Sequence, residues 1–166
     1  MDERTAAEWM PELYPQLCAI AQRVRARHGG GPLSPATLVH EAWLKLTRDG
    51  ERKYEALHFR ATAARAIRQV LVDEVRRRGA DKRGGDREQV TWVDLGEGGE
   101  PVDLLALDAA LTGLTAVDPR AADMVVLRFF GGLSNDEIAA QLGVSERTVK
   151  NDWRAARAWL LARLRA

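Results

Sequence analysis

Cysteine and long apolar runs are scarce in this sequence. Among its 166 residues Cys18 is the single cysteine, which excludes a disulfide framework and a cysteine-rich zinc site and is typical of a reducing compartment. No apolar run approaches the roughly 18 residues that a membrane span needs, and the acidic start MDERTAAEWM lacks the basic and then apolar order of a secretory signal. We therefore expect a cytoplasmic protein with no membrane partner.

The sequence also lacks the residue patterns of a catalyst or a cofactor site. The three histidines, His28, His40 and His58, stand apart without ligand partners at metal spacing. The only glycine triplet, Gly29 to Gly31, has no flanking strand of the kind that a nucleotide-binding loop requires. No nucleophile is placed near a base. We therefore expect no enzyme activity and no cofactor.

The sequence also has little net charge. Its 25 basic residues are balanced by 24 acidic ones, which leaves a net charge of +1. The charges are nevertheless unevenly distributed. Residues 52–87 hold eleven basic and five acidic side chains, whereas residues 88–118 hold seven acidic ones and no basic one. A basic block followed by an acidic block indicates separate charged surfaces, which the total conceals.

A glycine-rich stretch divides the chain. Residues 79–102 contain six glycines and one proline among polar residues, which is the composition of a flexible linker. We expect one small domain over residues 1–78 and another over residues 103–166. No stretch alternates polar and apolar residues, so the predicted fold is all-α, with two small helical domains and a helix-turn-helix in the second.

Helix signals recur on both sides of this linker. Apolar residues at helical spacing predict the first three helices over 11–27, 35–49 and 55–78, and four more over 103–114, 119–130, 134–142 and 145–164. Ser34-Pro35 and Asp118-Pro119 each combine a capping residue with a proline at the first helical position. Ser134 and Ser145 are predicted caps of the last two helices.

The most informative segment is LSNDEIAAQLGVSERTVKNDWRAARAWL. Two short helices that cross need a small residue at the crossing, a glycine in the turn and an apolar residue on the second helix, and Ala139, Gly143 and Val149 provide them. On the second helix one face is basic and polar, opposite the apolar stripe. Such side chains reach phosphates and base edges in a major groove, and we predict DNA binding by Arg147, Lys150, Asn151 and Arg154. The alternative is a solvated polar face.

The long helix before the linker also carries a basic flank. Arg65, Arg68 and Arg76 share one side of it, beside an apolar face. The flank can follow a phosphate backbone, and a solvated helix face explains it equally well.

The order of these segments resembles one family. LVHEAWLKL, then HFRATAARAIRQVLVDEVRRRGADKRGG, an acidic linker and DPRAADMVVLRFFGGLSNDEIAAQLGVSERTVKNDWRAARAWL are similar to bacterial RNA polymerase sigma factors of the extracytoplasmic-function (ECF) group, from about residue 12 to residue 164. The resemblance implies a dissociable specificity subunit without chemistry of its own. Its first domain would bind core RNA polymerase and the promoter −10 element, and its second would bind the −35 element.

The resemblance also assigns residues. In that family one helix contacts the polymerase, and the matching positions are Leu38, Val39, Glu41, Trp43 and Leu44, of which part must be internal core. The segment that faces −10 DNA matches Phe59, Arg60, Arg65, Arg68 and Arg76. The −35 recognition helix matches the four residues already predicted to bind DNA.

One departure from the family pattern concerns the start of the polymerase-binding helix. The family usually has an acidic cluster there, whereas this chain has Ser34-Pro35-Ala36-Thr37 without a carboxylate. We hypothesise that a Ser/Thr protein kinase supplies the missing charge at Thr37, or secondarily at Ser34, where a helix N-terminus favours an anion. The alternative is that Ser34 is only an N-cap and Thr37 only a first-turn residue.

Two other functions remain open at this point. A helix-turn-helix regulator of the response-regulator type has a similar GGLSNDEIA and TVK pattern and does not act through core polymerase, but it needs an α/β receiver or sensor domain. An adaptor would use the first half to bind another protein. The sequence does not identify an anti-sigma factor, a kinase or a promoter.

Overall fold

The computed structural model describes residues 2–24, 34–50, 52–81, 89–91 and 101–165. Within these residues the chain is almost entirely helical, as predicted. The elements are β1 (Glu3–Thr5), α1 (Ala6–Val24), α2 (Pro35–Leu46), a 3-10 turn (Thr47–Asp49), β2 (Lys53–Glu55), α3 (Ala56–Asp81), β3 (Gln89–Thr91), β4 (Pro101–Asp103), α4 (Leu104–Val117), α5 (Pro119–Phe129), α6 (Asn135–Leu142) and α7 (Glu146–Leu164).

The N-terminal half consists of α1, α2 and α3 packed around one another. Helix α1 begins at Ala6 and not at the predicted Pro11, because Thr5 and Glu8 exchange hydrogen bonds that cap its first turn. Pro11 therefore lies inside the helix, where burial of Trp9 and Leu13 offsets the missing backbone hydrogen bond. The predicted end near residue 27 lies outside the described residues.

The C-terminal half consists of α4 to α7, and its helix starts follow the predicted caps. Asp118 accepts a hydrogen bond from the backbone of Ala121, with Pro119 at the first helical position. The Ser145 hydroxyl accepts one from the backbone of Thr148 at the start of α7. Helix α4 continues to Val117, beyond its predicted end at residue 114. The local signals in this half therefore determine the helix boundaries within a few residues.

Two short antiparallel ribbons were not predicted. Strand β1 pairs with β2, bringing Arg4 opposite Tyr54, and the Trp9 indole Nε1 donates to the Tyr54 carbonyl at 2.6 Å. Strand β3 pairs with β4, with Val90 opposite Val102, inside the stretch predicted to be a linker. Each strand has three residues, which is too short for an alternating pattern to be recognised.

The two halves are in contact along α3. Helices α4, α5 and α6 all pack against it, and the buried side chains of both halves form one continuous apolar cluster. At the contact, a Cβ atom placed on Gly131 would lie 2.9 Å from the Cβ of Ala64. Because Gly131 has no side chain, the turn after α5 can approach α3 closely at Ala64. In the described part of the chain, no helix is long and apolar enough to cross a membrane.

Candidate nucleic-acid interface

Helices α6 and α7 form the predicted helix-turn-helix. Ala139 and Val149 are buried where the two helices meet. Gly143 ends α6 with φ +69°, a left-handed conformation that favours glycine. At the other end of α6, the Ser134 hydroxyl accepts from the Glu137 backbone and the Glu137 carboxylate accepts from the Ser134 backbone. This reciprocal cap fixes the direction in which α6 leaves the turn.

The predicted recognition residues all lie on the exposed side of α7. Arg147, Lys150, Asn151 and Arg154 are exposed, and none of the four forms a side-chain hydrogen bond or ion pair with the described residues. Ala156 and Leu160 are buried on the opposite side and attach the helix to the core. The four side chains are therefore available to an external partner.

A basic cleft of about 380 Å³ lies beside this face and extends it. Lys150 and Arg154 line it together with Arg128, Trp153 and Arg157. The guanidinium of Arg128 stacks on the Trp153 ring, 4.5 Å from its centroid, and also donates to Asn135. Arg128 and Arg157 were not among the residues predicted from the sequence to bind DNA. Arg157 follows Arg154 at helical spacing. This spacing is the sequence signal from which Arg157 could have been predicted as part of the basic face.

The arginines predicted to face −10 DNA have carboxylate partners in the other half of the molecule. Arg65 donates to Asp123 of α5 through two hydrogen bonds, Nε to Oδ1 at 3.0 Å and Nη2 to Oδ2 at 2.8 Å. Arg68 Nε donates to Asp108 of α4 at 2.9 Å. Arg76 contacts the second oxygen of the same Asp108 at 3.2 Å.

Arg60 completes the pattern by pairing with Glu137 of α6. Next to it, the Gln141 amide lies 3.2 Å from His58 Nδ1. The carboxylate of Glu137 thus belongs both to the cap of α6 and to the contact between the halves. Burial alone raises its pKa, but the hydrogen bonds from Ser134 and the charge of Arg60 outweigh this and hold the pKa below its usual value.

Phe59 is the fifth residue that the resemblance placed on the −10 side. Its ring is fully buried and contacts Tyr54 edge to face, with centroids 5.8 Å apart. In this conformation Phe59 is a core residue and presents no face on which a base could stack.

The predicted polymerase-binding residues on α2 fall into two groups. Leu38 and Val39 are buried and pack inside the N-terminal half. Glu41 and Leu44 are exposed, Leu44 to 45%. Trp43 is half-buried, and its buried Nε1 has no hydrogen-bond partner in the structure described. Glu41, Leu44 and the half-buried Trp43 are therefore the residues of this set that a partner can contact. The sequence alone did not separate them from the core residues.

Ser34 and Thr37 lie at the exposed start of α2. The Ser34 hydroxyl accepts a hydrogen bond from the Thr37 backbone at 3.1 Å, and the two hydroxyls are 2.8 Å apart. No acidic residue occupies the first turn of this helix. The site is therefore a capped helix start with free access to Thr37 and no negative charge of its own.

The fold and this site define a helical protein with a helix-turn-helix at one end. The family model for ECF sigma factors matches residues 2–166, and the chain belongs to that family. It is therefore a transcription initiation factor that acts with RNA polymerase, and not an enzyme. The resemblance seen in the sequence is confirmed.

Individual proteins were also compared with the chain. No curated protein matches the chain. Among solved structures, the chain is similar to the sigma factor RpoE from Bartonella quintana, in its co-crystal structure with the anti-sigma factor NepR. The two are 22% identical over 96% of each chain, with a TM-score of 0.44.

Proposed function

We propose that this chain directs promoter-specific transcription initiation through two separate DNA contacts. Residues 1–78 would bind core RNA polymerase and the −10 element, residues 103–166 would bind the −35 element, and residues 79–102 would connect them. The observation that carries the proposal is the exposed recognition face of α7, whose three cations and one amide have no partner among the described residues. Such a face is suited to phosphates and base edges.

Core polymerase would bind at α2. Its exposed Glu41 and Leu44, with the half-buried Trp43 between them, form a mixed charged and apolar surface. Tryptophan is one of the residue types that most often dominate the affinity of a protein interface. The regulator of response-regulator type is not favoured, because residues 2–24, 34–50 and 52–81 form helices and one short strand pair and not an α/β receiver.

Run-off transcription tests the proposal. Core polymerase is incubated with this protein and a pool of genomic fragments, and the 5′ ends of the transcripts are mapped. We expect discrete start sites that require the protein. The variant Lys150→Ala/Arg154→Ala should bind core polymerase as the wild type does and lose those start sites. Transcription without specific starts, even with Thr37→Asp, would contradict the sigma function.

We also propose that phosphorylation of Thr37 strengthens polymerase binding. Thr37 is exposed in a first turn that contains no carboxylate, and a phosphate would add roughly −1.5 to −2 charges at a helix N-terminus. A Ser/Thr kinase would be the partner. Ser34 is the weaker candidate, because its hydroxyl already caps the helix.

Affinity for core polymerase tests the phosphorylation proposal. Thr37→Asp should bind more tightly than the wild type, and Thr37→Ala should not. Thr148→Asp is the matched control, because Thr148 has the same relation to Ser145 at the start of α7, with hydroxyls 3.0 Å apart. If Thr37→Asp binds no better than Thr148→Asp, phosphorylation at this position does not act through charge.

A further inference from the structure

We propose that the C-terminal half masks the −10 surface, so that the conformation described here is a closed state in which carboxylates compete with DNA phosphates for the arginines of α3. This inference rests on the proposed function of those arginines. The competing carboxylates, Asp108, Asp123 and Glu137, are named the acidic clasp below.

All four of the arginines assigned to −10 DNA are paired. Each of the four arginines that the resemblance assigns to −10 DNA contacts a carboxylate, and every one of those carboxylates belongs to the other half of the chain. Three helices of that half, α4, α5 and α6, contribute one carboxylate each. The recognition residues of α7, in contrast, have no such partner among the described residues.

The pairs have a geometry in which guanidinium groups also bind phosphate. Arg65 presents its planar fork to both oxygens of Asp123, as it would to two phosphate oxygens. Asp108 is held by Arg68 and Arg76 together, and its side chain is only 12% exposed. A carboxylate that bridges two guanidinium groups occupies the place that a backbone phosphate would take.

The contact between the halves also contains open space beside the pairs. A cleft of about 630 Å³ opens between α3 and the helices α4 and α5, and its walls include Arg65, Arg68 and Arg76 together with Asp108 and Asp123. Phosphate can therefore enter beside the pairs and exchange with the carboxylates one at a time. Masking by the acidic clasp is thus reversible by a competing polyanion.

The closed state leaves the molecule with one usable DNA contact. The recognition face of α7 stays exposed, while the arginines of α3 are occupied. Two DNA contacts made together bind far more tightly than either alone. The clasp therefore limits binding of the free protein to DNA, and separation of the halves restores the second contact.

The test compares two variants of the full chain with the same net charge. Asp108→Asn/Asp123→Asn removes two clasp carboxylates. The matched control, Glu12→Gln/Asp152→Asn, removes two carboxylates whose partners, Arg4 and Arg120, lie within their own halves. Both variants also carry Lys150→Ala and Arg154→Ala, which suppress binding by α7. Small-angle X-ray scattering gives the radius of gyration, and fluorescence anisotropy gives the affinity for a mixed-sequence single-stranded DNA.

The clasp variant should have a radius of gyration several Å above the ~15 Å of a compact chain of this length. It should bind the single strand about tenfold more tightly than the control. Adding Arg65→Gln and Arg68→Gln to the clasp variant should abolish the gain. Equal radii in the two variants would overturn the closed state. A larger radius without tighter DNA binding would overturn masking. Failure of the sigma function itself is seen separately, in the run-off assay with wild-type protein.

Discussion

Single side chains determine whether the two faces proposed to bind DNA are free or occupied. Lys150 and Arg154 extend from α7 without a partner among the described residues, whereas Arg65 and Arg68 are held by carboxylates. All four are long cations on helices. What separates them is the presence of Asp123 and Asp108 across the contact between the halves.

Removal of one recognition cation should weaken DNA binding without affecting the fold. We expect Lys150→Ala to bind duplex promoter DNA several-fold less tightly and to reduce the salt dependence of binding by about one phosphate contact. Anisotropy titrations over a range of salt concentrations measure both quantities. Lys53→Ala, which removes an exposed lysine from β2, is the control. An unchanged salt slope in Lys150→Ala would show that this lysine does not contact a phosphate.

Gly143 can be tested for its backbone conformation alone. Its φ is +69° and a Cβ atom there would meet nothing within 4 Å, so Gly143→Ala should lower the free energy of unfolding by about 1–2 kcal/mol through strain and not through a clash. Chemical denaturation measures the change. Gly50→Ala is the control, since Gly50 has φ −35°. Equal effects of the two substitutions would contradict a role for the left-handed turn.

At the scale of elements, α6 depends on its first turn. The Glu137 carboxylate accepts from the Ser134 backbone and is paired with Arg60, which holds its pKa below the usual value near 4.5 despite its partial burial. A carboxylate whose pKa is lower in the folded than in the unfolded state stabilises the fold fully above its unfolded pKa. That stabilisation is lost as the pH falls through the folded pKa.

The acid sensitivity of the fold should therefore depend on this residue. Between neutral pH and pH values below about 4.5, the melting temperature of the wild type should fall more steeply than that of Glu137→Gln, which has no proton to take up there. Thermal melts monitored by circular dichroism give the comparison. Glu41→Gln, an exposed carboxylate on α2, controls for the loss of one charge. Parallel pH profiles for the wild type and Glu137→Gln would be inconsistent with a depressed pKa.

Substitutions on the two faces of α2 should have different effects, one on stability and the other on binding. Leu38→Ala should destabilise the fold by about 2–5 kcal/mol because the side chain is fully buried. Leu44→Ala should change stability by no more than about 0.5 kcal/mol and should weaken binding to core polymerase about fivefold or more. Val117→Ala, which truncates an exposed apolar residue in the other half, is the control for the binding measurement. Unchanged polymerase affinity in Leu44→Ala would remove this face of α2 from the interface.

Local signals explain which elements the sequence predicted. Ser134, Ser145 and Asp118 cap helices where they were expected, because capping depends on residues three or four positions apart. Helix α1 starts before the predicted residue 11, because the actual cap is formed by Thr5 and Glu8. The three-residue strands carry no periodicity that a reading of the chain could detect.

The candidate site was predictable only in part, for a related reason. The exposed face of α7 follows from helical spacing around Val149, so its four polar residues were found. Pairing of Arg65 with Asp123 and of Arg68 with Asp108 joins residues 58 and 40 positions apart. Such contacts depend on how the two halves pack and have no signature in the local sequence. Asp108 was counted as part of an acidic block, without a partner.

At the scale of the whole molecule, salt should act on the contact between the halves. The pairs of the acidic clasp are partly exposed, with 43% of the Arg65 side chain accessible, so mobile ions screen them. We expect the radius of gyration of the wild type to increase from low to high salt, and that of Asp108→Asn/Asp123→Asn to change less. Small-angle scattering over a salt series checks this. A radius independent of salt would show that the apolar contact of α3 with the turn at Gly131 holds the halves together by itself.

The shared use of Glu137 has a consequence for how the two halves part. When Arg60 leaves, the carboxylate still faces the backbone N–H groups at the start of α6, which continue to stabilise its charge. Asp108 lies beyond the first turn of α4 and has no such alternative when Arg68 and Arg76 leave it. Rupture is therefore least costly at α6 and most costly at α4. The two halves would separate as a hinge that swings open from the α6 end, with α4 as the last point of attachment.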